Sequence, residues 1–445
     1  MLKPVYDEIL YGRNYLSLSY AISKLRQNKE ILLIDDINFP SGRNWNHYLG
    51  LVEKNFLQMF GEEYGIDALR NIDDYLTPVT TVLNLDDLII ELGGSPLGHL
   101  NELARKLPSS FSETVFTKIS NLSAEYIDSL LEKYMKDIAK VLYELPKGKP
   151  IDLISLQGLQ HAELAQLSQS LLESLNARED LKVQELYLTL QILFQSFFSN
   201  EKNELEAWYL FIRLLSPQME IDEKGLEEAL AFQFRQLGGD IKATTVKEWE
   251  FYQDELKAIL LNSFEGIIRS EQLKVFTHIN HQFPYEVKAE SHQFFSLRLT
   301  GKINHHFIDF YKNKRIIFSS EKSLGTDFPY AEVTIDESQN IHGLFIYADF
   351  PGTKPSFHFK RAQEFIYQRL EKILPSLNRE EWMSETSFLE GSDVWSESKK
   401  ALKQSEHTFY LTHKKKKAHG IEYWGPTCVE TMGLLNYLIE IKRKV

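Results

Sequence analysis

Read for its alternation of apolar and polar positions, the chain opens on a β-α-β pattern. Residues 6–11 have strand character and Gly12 marks a tight turn. Residues 15–27 have helical spacing, and 30–34 form a second strand closed by Asp35. Residues 47–60 read as helix, broken over 61–65. Residues 76–90 carry β-branched alternation, enough for one or two strands, with Pro78 placing the first near an edge. From about Asn101 to Leu215 the spacing is helical. Ser123-Ala124-Glu125 opens one helix, with Tyr126, Leu130, Tyr134, Ile138 and Leu142 as its apolar spacing, and Pro146 and Pro150 follow as a linker. Further helices are expected near 161–176, 181–198 and 201–215.

The second half reads differently. A helix over 225–237 ends at Gly238-Gly239, a good helix stop. A strand over 240–246 follows, then a turn near 252–255 and strands at 256–262 and 273–279. Residues 292–299, 315–320, 331–336 and 343–350 alternate as strands between turn residues, which predicts a second, antiparallel sheet. An amphipathic helix over 357–374 carries Phe365, Ile366, Leu370 and Ile373 on one side, and Pro375 ends it. Residues 390–403 are polar and read as loop. Strands at 407–413 and 418–424 flank the lysines 414–417, and 431–441 forms a closing helix.

The opening pattern carries chemistry as well as fold. In a nucleotide-binding β-α-β unit the turn and the helix N-terminus receive a pyrophosphate, because exposed N–H groups and the helix dipole favour an anion there. An acidic residue ending the second strand accepts a ribose hydroxyl. Here the G-x-G-x-x-G frame falls on Gly12, Asn14 and Ser17, and Asp35 stands at the acidic position. Asn14 tolerates a left-handed backbone better than most residues, yet its side chain crowds the place where a pyrophosphate approaches. Ser17 is small enough for helix and strand to pack closely. Two readings follow: a nucleotide site, or a β-α-β unit that kept its packing and lost its ligand.

Ser41-Gly42-Arg43 follows Asp35 at the distance of a Gly-Gly-Arg turn. With it the chain resembles the flavin-dependent amine oxidase and phytoene desaturase superfamily, which also contains the Rab GDP-dissociation inhibitors. The resemblance continues through the Gly238-Gly239 stop and the strand carrying Val246, where the family places a valine close to the adenine. It reaches Cys428-Val429-Glu430 near the end, after Gly425-Pro426 where the family has Gly-Asp. Pro426 supplies neither carboxylate nor N–H. The resemblance implies FAD, or NAD(P) in its place, held by Gly12, Asn14, Ser17, Asp35, Gly42, Arg43, Val246 and Glu430. It implies a flavin-facing, substrate-side position for Cys428, although the residue by itself reads first as a mostly buried structural cysteine.

The implied fold is α/β: a Rossmann-type FAD/NAD(P)-binding domain over 1–75, 216–290 and 400–445. A second domain of helices and an antiparallel sheet, interleaved with it, covers 76–215 and 291–399. Two functions follow from the resemblance. One is an FAD-dependent oxidoreductase removing hydride from a C–N or C–C bond of a small apolar or amine substrate. The other is a non-catalytic binding or adaptor protein with a protein partner, on the same scaffold with the cofactor site lost.

Composition narrows the field. The chain has 445 residues, 43% of them hydrophobic, and a formal net charge of −13, which argues against a general nucleic-acid binder. Its single cysteine, Cys428, excludes an intrachain disulfide and a cysteine metal cluster. The N-terminus has no apolar signal core, and the longest apolar run, 186–198, is interrupted by Thr189, Gln191, Gln195 and Ser196, so the expectation is a cytoplasmic protein without a transmembrane segment. His305-His306 are adjacent and would point to opposite faces of a strand, and His278 and His281 have no helical i, i+4 partner, so no metal site is expected. The run from His413 to His419, with its four lysines, reads as a solvated hairpin tip or an anion contact.

Overall fold

The computed structural model describes residues 3–36, 48–85, 88–106, 123–146, 186, 212–252, 255–262, 266–270, 272–276, 286–287, 293–303, 311–318, 330–336, 338–348, 355–374, 376–385, 387–397, 411–413, 416–417, 421–423, 428–429 and 433–445. The first strand, β1 (Glu8–Tyr11), leads into helix α1 (Tyr15–Leu25) and returns through β2 (Ile31–Asp35), parallel to β1. Asp240–Ala243 adds in parallel outside β2. On the other side of β1 lie Leu273–Val275 and then Ile421–Tyr423, also parallel. The sheet order is therefore 421–423, 273–275, β1, β2, 240–243. Strand order reverses at β1, which makes the crevice beyond β1 and 273–275 the topological switch point of a doubly wound sheet.

The central strands β1 and β2 are near-continuous apolar runs because both faces are covered. One face packs on α1 and on helix Glu223–Gln236, within a core that includes Leu10, Leu33, Leu18, Ile22, Leu230 and Phe234. Ile9, Leu32 and Ile34 face the other way, under a three-stranded antiparallel sheet of Val246–Tyr252, Glu255–Leu261 and Ile267–Arg269. A second, larger sheet accompanies it. Its order is Cys428–Val429, Ser387–Glu397, Gln293–Lys302, Asn340–Ala348, Tyr330–Ile335, Lys314–Phe318, Leu76–Asn84, Gln218–Ile221 and Tyr48–Leu49, with Ile89–Leu92 on Leu76–Asn84. Helix Pro355–Ile373 contributes Ile366, Tyr367 and Leu370 to its core. The architecture is α/β, a Rossmann-type dinucleotide-binding unit combined with helices and a mostly antiparallel second sheet.

Several elements differ from their sequence reading. The helix expected over 47–60 is α2 (Leu51–Tyr64), and it runs straight through Gly61. Gly61 is a close approach, since a Cβ there would stand 2.6 Å from the Arg70 amide nitrogen. Gly65, at φ +64, is the actual stop. On helix Ala124–Tyr143 the buried face is Ile127, Leu131, Tyr134, Met135, Ile138 and Leu142, whereas Tyr126 is exposed. Ser123 caps this helix as expected. The polar stretch read as loop over 390–403 is strand through Glu397, because Gln293–Lys302 offers it a long pairing edge. Lys416–Lys417 pairs back on Thr412-His413 as a short strand. Short Ile267–Arg269 and helix Arg379–Glu385 leave too brief a pattern to detect.

Pro78 sits where strand Leu76–Asn84 has one partner among the described residues. Leu76–Val79 pairs only with Gln218–Ile221, and two-sided pairing begins at Thr80–Thr81. Helices expected at 161–176 and 181–198 fall outside the described residues, apart from Leu186. So do Ser41-Gly42-Arg43, His278, His281, His305-His306, Gly425-Pro426 and Glu430.

Candidate functional site

Gly12, Asn14, Ser17 and Asp35 come together at the C-terminal ends of β1 and β2, at the switch point. Gly12 has φ +102, a conformation in which an L side chain would strain the turn, and its N–H donates to the Ile34 carbonyl at 2.9 Å. The chain then turns into α1 with Asn14 as N-cap. Asn14 is extended, at φ −159, and the left-handed tolerance expected of it is not used.

Its side chain does two other things. Asn14 Oδ1 accepts from the Ser17 N–H at 2.8 Å, and Ser17 Oγ accepts from the Asn14 N–H at 3.0 Å, a reciprocal capping box. Asn14 Nδ2 donates to the Phe276 carbonyl at 2.9 Å. Phe276 follows strand 273–275, and its N–H donates to the Tyr11 carbonyl at 2.7 Å. One buried side chain thus closes the first turn of α1 and bridges the crevice between the two strands flanking the switch point. Ser17 is fully buried, as its size at a packing position requires.

The acidic position is also engaged within the chain. Asp35 accepts from Arg13 Nη1 at 3.3 Å, both side chains about a quarter exposed. Asp36, buried, accepts from the Tyr11 hydroxyl, and burial followed by that carboxylate raises the phenol's pKa. Val246 begins the first strand of the antiparallel three-stranded sheet, close in sequence to the Asp35–Ala243 pairing, and packs against the core beneath it. Cys428 is not in the parallel sheet. It lies at the edge of the larger one, paired in register with Ser396.

One residue of this region was not anticipated. Glu227, on helix Glu223–Gln236, which packs on α1, is buried. Burial, then the neighbouring Glu223, pushes the Glu227 carboxyl up to about 8; Arg13 opposes this and Asp35 adds to it. A trace of it was present in the sequence. Glu227 shares its spacing with Leu230, Ala231 and Phe234, so it interrupts an apolar face. Among the described residues no group of three His, Cys, Asp or Glu side chains could hold a metal ion, and no helix is long and apolar enough to cross a membrane.

The strand order and the switch-point turn define the class: an α/β protein with the Rossmann-type FAD/NAD(P)-binding architecture. No protein-family model matches the sequence, and no curated protein matches it. Solved structures resemble it at low identity. An oxidoreductase from Methanosarcina mazei has 9% identity and a TM-score of 0.49, over 98% of this chain and 99% of that one. A Rab GDI from Plasmodium falciparum has 11% identity and a TM-score of 0.48, over 93% and 95%. An L-proline dehydrogenase from P. horikoshii has 11% identity and a TM-score of 0.44, over 100% and 93%.

Proposed function

We propose that this chain is a non-catalytic binding protein on the FAD/NAD(P)-binding scaffold, acting through a protein partner rather than through flavin redox chemistry. The observation that carries this reading is the Asn14 side chain. A dinucleotide fold needs bare backbone at the second glycine position so that a pyrophosphate reaches the amides of the turn. Here that position holds a buried side chain which consumes the Ser17 N–H and bridges to the Phe276 carbonyl. Asp35, the ribose position, is engaged by Arg13. Glu223 and Glu227 add acidic groups near Arg13 and Asp35. A dianionic pyrophosphate would have to displace a cap and enter beside carboxyl groups. Among the described residues, those at the turn and the ribose position do not fit the cofactor.

The test is an absorbance spectrum of the purified protein, repeated after incubation with FAD and desalting. The expected result is a colourless protein in both cases. A retained flavin band overturns the reading and favours the oxidoreductase. FAD would then be held by Gly12, Asn14, Ser17, Asp35, Gly42, Arg43, Val246 and Glu430, with Cys428 toward an amine or apolar substrate.

A further inference from the structure

Residues 212–218 lead the chain into strand Gln218–Ile221 of the larger sheet, and buried polar side chains hold them in place. Arg213 pairs with Glu53 on α2 at 2.6 Å, both side chains almost wholly buried. Ser216 Oγ accepts from the Leu51 N–H at 2.6 Å, and Gln218 Nε2 donates to the Ser216 carbonyl at 2.9 Å. One further member of this set can change its charge near neutral pH. His99, on helix Pro96–Lys106, is 1% exposed, and its Nδ1 lies 2.9 Å from the Leu214 carbonyl oxygen.

That contact fixes the tautomer. A carbonyl only accepts, so Nδ1 carries the proton and donates, and Nε2 is left as the unprotonated nitrogen. Nε2 is buried and has no hydrogen-bond partner among the described residues. A second proton would therefore make a buried N–H with no acceptor among them, on a ring that has become a cation.

The charges on the packed elements are already engaged. Arg213, beside the bonded carbonyl, is itself a cation and is matched by Glu53. Asp128, on helix Ala124–Tyr143, favours the imidazolium, but its Oδ1 accepts from the Leu97 N–H at 2.7 Å. On His99's own helix Glu102 pairs with Arg105 at 2.5 Å, and on strand Ile89–Leu92 Glu91 pairs with Lys314 at 2.9 Å. Burial outweighs the Leu214 carbonyl and Asp128, and holds the imidazole pKa below its ordinary 6.5.

We propose that His99 is a proton-operated clamp on residues 212–216. While neutral it ties the Leu214 carbonyl to helix Pro96–Lys106. When Nε2 takes a proton the clamp opens, because only the open arrangement lets the imidazolium reach water. The clamp is separate from the turn at Asn14 and does not depend on whether a flavin binds.

The open clamp titrates near 6.5 and the closed one lower, so the open form binds more protons and gains as pH falls below 6.5. The experiment is amide exchange of the full chain at pH 7.5 and pH 5.5, each rate taken relative to its intrinsic value. The reporter is the Ser216 N–H, which donates to the Ile212 carbonyl at 3.0 Å. Its protection should fall several-fold on acidification, about tenfold at most. His99→Gln keeps an N–H for the Leu214 carbonyl and cannot take a proton, so its protection should change less than about twofold. Equal protection of the parent at both pH values overturns the inference, and so does an equal fall in His99→Gln. If His99→Gln does not fold, the parent's own imidazole decides. A His99 ring that protonates near pH 6.5 by NMR while Ser216 stays protected overturns the clamp. A ring still neutral at pH 5.5 in the protected population supports it.

Discussion

Asn14 shows how much one side chain decides at this turn. Glycine at the same position would leave the α1 amides bare, whereas asparagine supplies an acceptor for one of them and a donor for the Phe276 carbonyl. Asn14→Ala removes both. The cap is worth about 1 kcal/mol, and an unsatisfied buried carbonyl costs roughly 1–3 kcal/mol more. The variant should therefore lose roughly 2–4 kcal/mol in denaturant unfolding, and a loss below about 0.5 kcal/mol would mean the bridge contributes nothing.

Glu227 makes a second prediction at this scale. Its folded-state value of about 8 lies above the ordinary 4.5. Below pH 4.5 both folded and unfolded chains hold the proton. Between 4.5 and 8 only the folded chain does, so stability from this group falls as pH rises through that window. Glu223 on the same helix, Arg13 in the turn and Asp35 on β2 all act on it electrostatically. Glu227→Gln cannot ionise. Its unfolding free energy should decline less than the parent's between pH 5 and pH 8, by roughly 3–5 kcal/mol. Parallel pH profiles would show that Glu227 does not hold its proton in the fold.

At the scale of elements, the opposite end of the parallel sheet is held by charge. Lys274, on strand 273–275, pairs with Glu422 on the neighbouring strand at 2.9 Å and lies 3.9 Å from Glu8 on β1. The Tyr20 hydroxyl on α1 donates to Glu8 at 2.7 Å, and Lys24 on α1 donates to the Lys444 carbonyl of the helix Gly433–Lys444, also at 2.7 Å. Lys444 reaches Glu422 at 3.3 Å. Burial alone would raise the Glu422 pKa, but Lys274 and Lys444 outweigh it and hold the carboxyl below its ordinary value. That stability is present above pH 4.5 and is lost as pH falls through the depressed value. Lys274 is almost wholly buried, so Lys274→Met keeps its volume and removes the cation shared by Glu8 and Glu422, leaving Glu8 with Tyr20 and Glu422 with Lys444. The expected loss is about 3 kcal/mol at neutral pH, measured by denaturant unfolding, and it should shrink on acidification. A neutral substitution would mean water already compensates these carboxylates.

At the scale of the whole molecule, two kinds of information separate. Periodicity is local and survives in sequence. It determined β1, α1 and β2, the helix stop at Gly238-Gly239, the four alternating strands of the second half and the Pro375-bounded helix. The positions of Gly12 and Ser17 were legible for the same reason, since a turn needing φ +102 and a close helix–strand contact restrict which residues can stand there. Tertiary structure alone decided the rest. The polar segment Ser387–Glu397 became a strand because a partner edge was available, and Gly61 stayed in helix because Arg70 and Leu69 press against it. Glu227 came within the influence of Arg13 and Asp35 because helix Glu223–Gln236 packs on α1, a contact between segments far apart in the chain. The sequence by itself thus specified a dinucleotide-binding architecture with altered glycines. Whether the altered turn was an open cradle or a filled one depended on Asn14 capping the Ser17 N–H and bridging to the Phe276 carbonyl, a partner far along the chain that periodicity does not name.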